Sequence, residues 1–416
     1  MVLDSAFGFG ANVVGLLLGL VSLFLTGRIL GPAGRGELAS AMAVATLAAA
    51  MLHLSLGQVA LHLLGQSVDR PALLKDMSKT LVALSVGLGL AGWILVIVVH
   101  YATGGTAFKQ VPTSLLVLAV APLPALIWFS YAQAILQAKG EVRLHAILLT
   151  LGTLVSFCLV LFALLVLRLG VTGLVASALL SNYLLAGIFV AAIRLRLSEG
   201  AFKRSLAKDL LKGSAKLHTN TVAFTLIITS DILILSHFRP LAEVGNYQLA
   251  LTLISLFALL PTAVTSTMLS QTTLRGPDAS WDAQKRIIAA TLGIVALAAV
   301  ATYFLAPIVI PLLVGPAFDT SVPLLRIMLL STLGSTLGML LAPQFILRGM
   351  FLTASLQTLA VACIHIAANL LVVPRFGATG AAWVMTIVFV LGFFVNLGYA
   401  VFFFEKRARA RRASEE

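Results

Sequence analysis

Acidic residues are scarce in this chain. Only 15 Asp and Glu stand among 416 residues, against 28 Lys and Arg, and charged residues make up 10% of the whole. A soluble domain carries about 25% charged residues, so an ordinary water-facing fold is excluded. Cysteine is nearly missing as well: Cys158 and Cys363 both fall inside apolar stretches, which leaves no basis for a disulfide framework or a thiolate metal site. There is no P-loop, no zinc-ligand spacing and no nucleophile–base pair, so catalysis is not expected and no cofactor or metal is implied. No hydrophilic connector is long enough to hold a folded domain of its own.

What fills the chain instead is apolar sequence, 60% of the residues, with a mean hydropathy of +1.05. Apolar runs recur along its whole length, each able to cross a hydrocarbon core of about 30 Å. The expected fold is all-α and polytopic, with twelve spans near residues 6–30, 38–65, 77–101, 112–136, 145–167, 173–193, 216–238, 246–271, 287–314, 323–347, 353–373 and 380–404. The N-terminal stretch MVLDSAFGFGANVVGLLLG lacks the basic start and small-residue cleavage site of a secretory signal, so the first span is expected to be retained.

The net charge of +13 raises nucleic acid as a partner, but most basic residues sit in connectors between spans. They read as topology signals, and no nucleic acid is expected. The N-terminus, the even-numbered connectors and the C-terminal tail hold 21 of the 28 Lys and Arg, and the odd-numbered connectors hold seven. That bias places both termini in the cytoplasm. The tail KRARARR (406–412) fits an anionic lipid surface. So does the basic stretch RLRLSEGAFKRSLAKDLLKGSAK (194–216), in which Phe202, Leu206 and Leu210 recur every four residues as the apolar face of an amphipathic helix. A solvated linker that only fixes topology is the plainer reading of this connector.

The halves on either side of that connector resemble each other. LGVTG (169–173) corresponds to FGATG (376–380), and ILQAKGE (135–141) to FILRGMF (345–351). RILGPAGRGELA (28–39) corresponds to HFRPLAEVGNYQLA (237–250). Six spans per half make these parallel repeats, an arrangement that encloses a central site with alternating access in many transporters. The expected domains are therefore a six-helix bundle over 1–193, the basic connector over 194–215, a second six-helix bundle over 216–404 and the basic tail over 405–416.

Taken together, RILGPAGRGELA, SLGQVALHLLGQ (55–66), DILILSHFRPLAEVGNYQLA (231–250) and VVPRFGATGAAW (372–383) resemble the polysaccharide flippases of the multidrug/oligosaccharidyl-lipid/polysaccharide exporter superfamily. That superfamily also holds the MATE drug exporters and the lipid II flippase. The stretches span nearly the whole chain. Each is a Gly-rich turn with apolar flanks, weak alone and more specific in its order and repetition. The resemblance implies two six-helix bundles around a central cavity in a bacterial inner membrane. It also implies movement of a polyprenyl-diphosphate-linked oligosaccharide from the inner to the outer leaflet, with polysaccharide polymerase machinery as a further partner.

Ionisable residues inside spans are costly and point to substrate or ion paths. Asp231 is the only carboxylate well inside a span, roughly 22 Å along the helix axis from Lys216 at 1.5 Å per residue. It coincides with an acidic position frequent in the resembling flippases. Lys216, Asn220 and Asp231 share one helix face, and His218, Thr221, Thr225 and Thr229 share the opposite one. Asp231 reads equally as a H+ or Na+ site or as a packing acid. A diphosphate needs cations, for which Arg28, Lys216, Arg326 and Arg348 qualify, Arg28 with Lys216 being the preferred pair. Snorkelling to headgroups explains any one of them alone. Gln133, Gln137 and Gln344 are candidates for sugar hydroxyls, with helix–helix contact an equal reading, and Asn182 and Asn369 are weaker ones. His53 and His365 lie mid-span, as proton relays or packing residues. Pro261 is a hinge candidate in the eighth span. Two other functions compete with a flippase: a cationic drug exporter, against which the scarcity of carboxylates argues, and a lipid-linked-sugar polymerase or glycosyltransferase, against which the short outward connectors argue. A membrane scaffold would leave Asp231 unexplained.

Overall fold

The computed structural model describes residues 2–67, 69–193 and 200–409, the side chains of residues 2–13, 70, 142 and 215–217 excepted. Every regular element among them is helical. In chain order these are α1 (Val2–Leu52), α2 (Leu56–Gln66), α3 (Arg70–Ala102), α4 (Thr113–Val120), α5 (Leu123–Lys139), α6 (Val142–Leu161) and α7 (Gly170–Ala192). There follow α8 (Arg204–Phe238), α9 (Leu241–Ser255), α10 (Leu259–Arg275), α11 (Pro277–Val314), α12 (Ser321–Met328), α13 (Ser331–Leu347) and α14 (Phe351–Gly398). Nine helical stretches among the described residues are long and apolar enough to cross a membrane, or ten when α12 and α13, bent by 43° at their junction, count as one. Their outer faces suit hydrocarbon: Val300, Phe304, Ile308 and Leu312 form an exposed apolar stripe along α11.

Backbone and turn chemistry set the boundaries. Asp69 caps α3, its carboxylate accepting from the Ala72 N–H at 3.2 Å, with Pro71 in the first turn. α5 ends at Gly140, whose N–H donates to the Gln137 carbonyl while the Glu141 N–H donates to that of Leu136, both at 3.0 Å. α13 ends the same way: Gly349 donates to Ile346 at 3.0 Å and Met350 to Phe345 at 2.9 Å. These are matching glycine-terminated helix ends, and they fall in the two stretches that the sequence pairs as repeats. Gly170 and Gly377, also paired by the sequence, have φ of 59° and 57°. Gly31 (φ 65°) and Gly377 each kink one long helix, α1 and α14.

The repeat extends to interruptions within spans. The second span breaks at residues 53–55 and the fourth at Ala121–Pro122; the eighth breaks at the 3-10 turn Leu256–Ala258 and the tenth between α12 and α13. Pro261 sits in the first turn of α10 just after that 3-10 turn, so the irregular backbone lies slightly ahead of the proline.

The chain forms two compact units, one to His237 and one from Phe238. The first thus includes α8, so the seventh expected span does not begin the second unit. The core of the first unit joins Leu56, Val59, Met77, Trp128, Tyr131, Ile135 and Phe189 with Leu206 and Leu210 of α8. This corrects the expectation for the connector. Residues 194–199 lie outside the described residues, but from Arg204 onward the connector is the first turns of α8. Its Leu206 and Leu210 are buried against protein rather than lipid. The segment before it is fastened to the start of α3: Lys203 pairs with Asp76, and the Ala201 N–H donates to Asp76 at 2.9 Å. In the second unit Met268, Trp281, Leu340, Leu341, Phe345 and Phe404 form a core cluster.

Candidate functional site

A cluster of polar contacts in the first unit lies at the break between α1 and α2. Leu54 and Ser55 have φ of 49° and 51°, conformations that cost a non-glycine residue about 1–3 kcal/mol each and persist only where surroundings enforce them. Two helices distant in sequence supply that enforcement. From α5, the Tyr131 hydroxyl donates to the His53 carbonyl at 2.8 Å. From α8, His218 Nε2 lies 2.9 Å from the Met51 carbonyl, which can only accept. Within the break, the Ser55 N–H donates to His53 Nδ1 at 2.9 Å. Ser55 Oγ lies 3.4 Å from both His218 Nδ1 and Thr221 Oγ1. The His53 and His218 rings meet edge to face, with centroids 5.6 Å apart. Carbonyls released by the broken helix thus find donors.

The sequence expectation puts His53 within a regular helix and does not link it with His218, Ser55 or Tyr131. The available signal was the His218–Thr221 face of α8. That face turns into the first unit, where Thr225 and Thr229 are buried and Thr229 donates to the Thr225 carbonyl at 2.6 Å. Asp231 is buried too, at 2% exposure, whereas Asn220 is exposed. The side chain of Lys216 lies outside the described residues. Arg28 is exposed, three residues before the Gly31 kink. Arg35, absent from the expected set, is buried and donates from Nη1 to Thr26 Oγ1 at 3.0 Å. Gln133 is half-buried and Gln137 exposed.

The second unit uses its polar residues differently. Gln344, fully buried, donates from Nε2 to the Pro277 carbonyl at 3.1 Å and to Gln284 Oε1, and its own Oε1 accepts from Arg348 Nε at 2.9 Å. Gln284 in turn donates to Thr272. Arg348 Nη2 lies 2.7 Å from Asp278 Oδ1, and its guanidinium stands 4.9 Å from the Phe404 ring centroid. Beside them Glu405 accepts from Trp281 Nε1 at 2.8 Å, Lys285 Nζ at 2.7 Å and Arg409 Nε at 3.0 Å. Gln344 and Arg348, expected at a substrate site, are therefore engaged in joining α11, α13 and the π-helical stretch Tyr399–Phe404 that continues α14. Arg326 donates to the Tyr303 carbonyl at 3.0 Å and stacks on its ring at 4.5 Å. His365 is fully buried, and its carbonyl accepts from Asn369 at 3.0 Å. Among the described residues no group of three His, Cys, Asp or Glu is placed to hold a metal ion.

Comparison with known proteins assigns the chain to a family. The family model described as polysaccharide biosynthesis protein matches residues 4–272. The chain belongs to that family. No curated protein matches it in sequence. Solved structures match nearly end to end. An inward-facing multidrug resistance MATE transporter of the MOP superfamily is 15% identical with a TM-score of 0.75, covering 97% of this chain and 96% of that one. The lipid II flippase MurJ in an inward closed conformation is 14% identical with a TM-score of 0.77, covering 96% of this chain and 87% of that one. A MOP superfamily transporter from Pyrococcus furiosus, noted for reversed polarity of its binding pocket, is 15% identical with a TM-score of 0.65, covering 98% and 94%. At these identities the likeness establishes the fold, which is that of the MOP transporters.

Proposed function

We propose that this protein is a flippase that carries a polyprenyl-diphosphate-linked oligosaccharide from the inner to the outer leaflet by alternating access. The observation that carries the reading is the matched pair of interruptions in each half, in a chain of a polysaccharide biosynthesis family. Broken spans are where helical transporters put cargo sites and hinges. Taking each side of the Gly31 and Gly377 kinks as its own span, and α12 with α13 as one, brings the candidates to twelve. The reading places the protein in the bacterial inner membrane with both termini cytoplasmic and the basic tail on anionic lipid. Asp231 and the His53 break are the H+ or Na+ coupling candidates. Arg28 and Lys216 are the diphosphate candidates, with Asn220, Gln133 and Gln137 for the sugar. Gln344 and Arg348 serve packing, and the buried His365 is a further coupling candidate. Polysaccharide polymerase machinery would receive the product.

Transport of a lipid-linked sugar fits the fold shared with the lipid II flippase. The fold is equally that of MATE exporters, but cationic cargo calls for carboxylates, and Asp231 is the only one deep in a span. The test is reconstitution in liposomes holding a labelled polyprenyl-diphosphate oligosaccharide, with sugar exposure followed by a membrane-impermeant probe. Protein-dependent exposure supports the flippase. Folded protein without exposure would turn attention to cationic drugs, and new glycosidic bonds would identify an enzyme.

A further inference from the structure

We infer that His53, backed by His218, is a proton-binding switch that acts on the break in the second span. The Ser55 N–H donates to His53 Nδ1, so a neutral His53 carries its proton on Nε2. His218 Nε2 faces the Met51 carbonyl, so its neutral form keeps an acceptor Nδ1 toward Ser55 Oγ. A proton from water arriving on His53 Nδ1 replaces the lone pair that the Ser55 amide uses, and that hydrogen bond is lost. Ser55 then loses one of the contacts that hold the break, and only those of Tyr131 and His218 with the His53 and Met51 carbonyls still oppose relaxation of the 53–55 segment toward regular helix. One proton is bound, no covalent bond other than N–H is made, and deprotonation reverses the step.

From α8 the facing group is His218, in edge contact with His53. Lys216 precedes it by two residues, and Asp231 follows by thirteen, about 20 Å along the axis. From α5 the facing group is Tyr131, donating to the His53 carbonyl. On α2, His62 is exposed and bonded to Gln66 at 3.1 Å. α3, whose Gly92 abuts Leu52, has no ionisable side chain between Lys79 and His100, and Glu37 of α1 is about 24 Å away along that helix. His218 keeps Nε2 on the Met51 carbonyl, so the proton taken up in this step is the one on His53 Nδ1. In the flippase reading this is the coupling site. The binding event itself does not depend on that reading.

The experiment is a pH titration from 5 to 9 of the full chain in detergent, with ring-15N histidine and backbone-15N serine labels followed by NMR. His53→Gln and His218→Gln variants assign the rings and are checked for folding by gel filtration. The expected result is one coupled transition in which His53 Nδ1 changes from unprotonated to protonated and the Ser55 amide shifts with it. Loss of the Ser55 transition is expected in His53→Gln, and an altered His53 midpoint in His218→Gln. The inference is overturned if His53 Nδ1 stays unprotonated across the range, or if it titrates while the Ser55 amide stays fixed. Neither outcome bears on whether the liposome assay detects flipping.

Discussion

Arg348 and Asp278 form an ion pair at 2.7 Å, with the Arg348 side chain at 2% exposure and that of Asp278 at 30%. The same guanidinium donates to Gln344 and covers Phe404, so one residue links α11, α13 and the helical stretch Tyr399–Phe404 that continues α14. Removing one partner of a fully buried pair costs roughly 3–5 kcal/mol, and the part-exposed Asp278 lowers that figure. Arg348→Ala is expected to destabilise the second unit by about 1–3 kcal/mol. Detergent-phase thermal unfolding should show the shift, while substrate affinity per folded molecule stays near that of the parent. A large affinity loss without a stability change would return Arg348 to the substrate site.

Gly170 and Gly377 share a backbone conformation but differ in surroundings. A side chain at Gly170 meets nothing within 4 Å, whereas one at Gly377 runs into Glu243. Glu243 accepts from Arg239 Nε at 2.9 Å and from the Ala378 N–H at 2.6 Å. Gly170→Ala should cost about 1–2 kcal/mol of backbone strain. Gly377→Ala should cost more, because the Glu243 contacts are disrupted as well. Equal shifts in unfolding temperature would mean that Glu243 moves aside freely.

These glycines also mark what the sequence could reveal. Turn residues are local signals, so the correspondence of Gly140 with Gly349, and of Gly170 with Gly377, was readable before any coordinates. The break at His53–Ser55 was not, because MLHLSLGQV contains no proline and nothing that stops a helix at Leu52. Its cause is tertiary, supplied by Tyr131 and His218, 78 and 167 residues away. The connector gave up its apolar face, Leu206 and Leu210, but periodicity does not say whether lipid or protein covers a face. Likewise Gln344 and Arg348 stood out as polar residues in a span, while their partners Gln284 and Asp278 sit in another helix altogether.

Asp231 is buried in the first unit, at 2% exposure. Asp231→Asn keeps its shape and removes its charge. If the acid binds the coupling ion, flipping in liposomes should fall by about tenfold or more, equivalent to at least ~1.4 kcal/mol, with protein yield and unfolding temperature little changed. A parallel loss of yield and activity would instead identify a packing acid.

Arg28 and Lys216 are the residues proposed for the diphosphate of the cargo. A hydrogen bond to a charged group contributes about 1.5–3 kcal/mol, so each Ala substitution should weaken binding of a polyprenyl diphosphate by about 10–100-fold. Arg28→Lys should recover only part of the loss, since an ammonium keeps the charge but not the two-pronged fit to phosphate. Binding measured with the sugar-free polyprenyl diphosphate isolates the anion contribution from that of Asn220, Gln133 and Gln137. Unchanged affinity in both Ala variants would move the diphosphate site away from these two residues. Full recovery by Arg28→Lys would show that charge alone, without guanidinium geometry, holds the cargo.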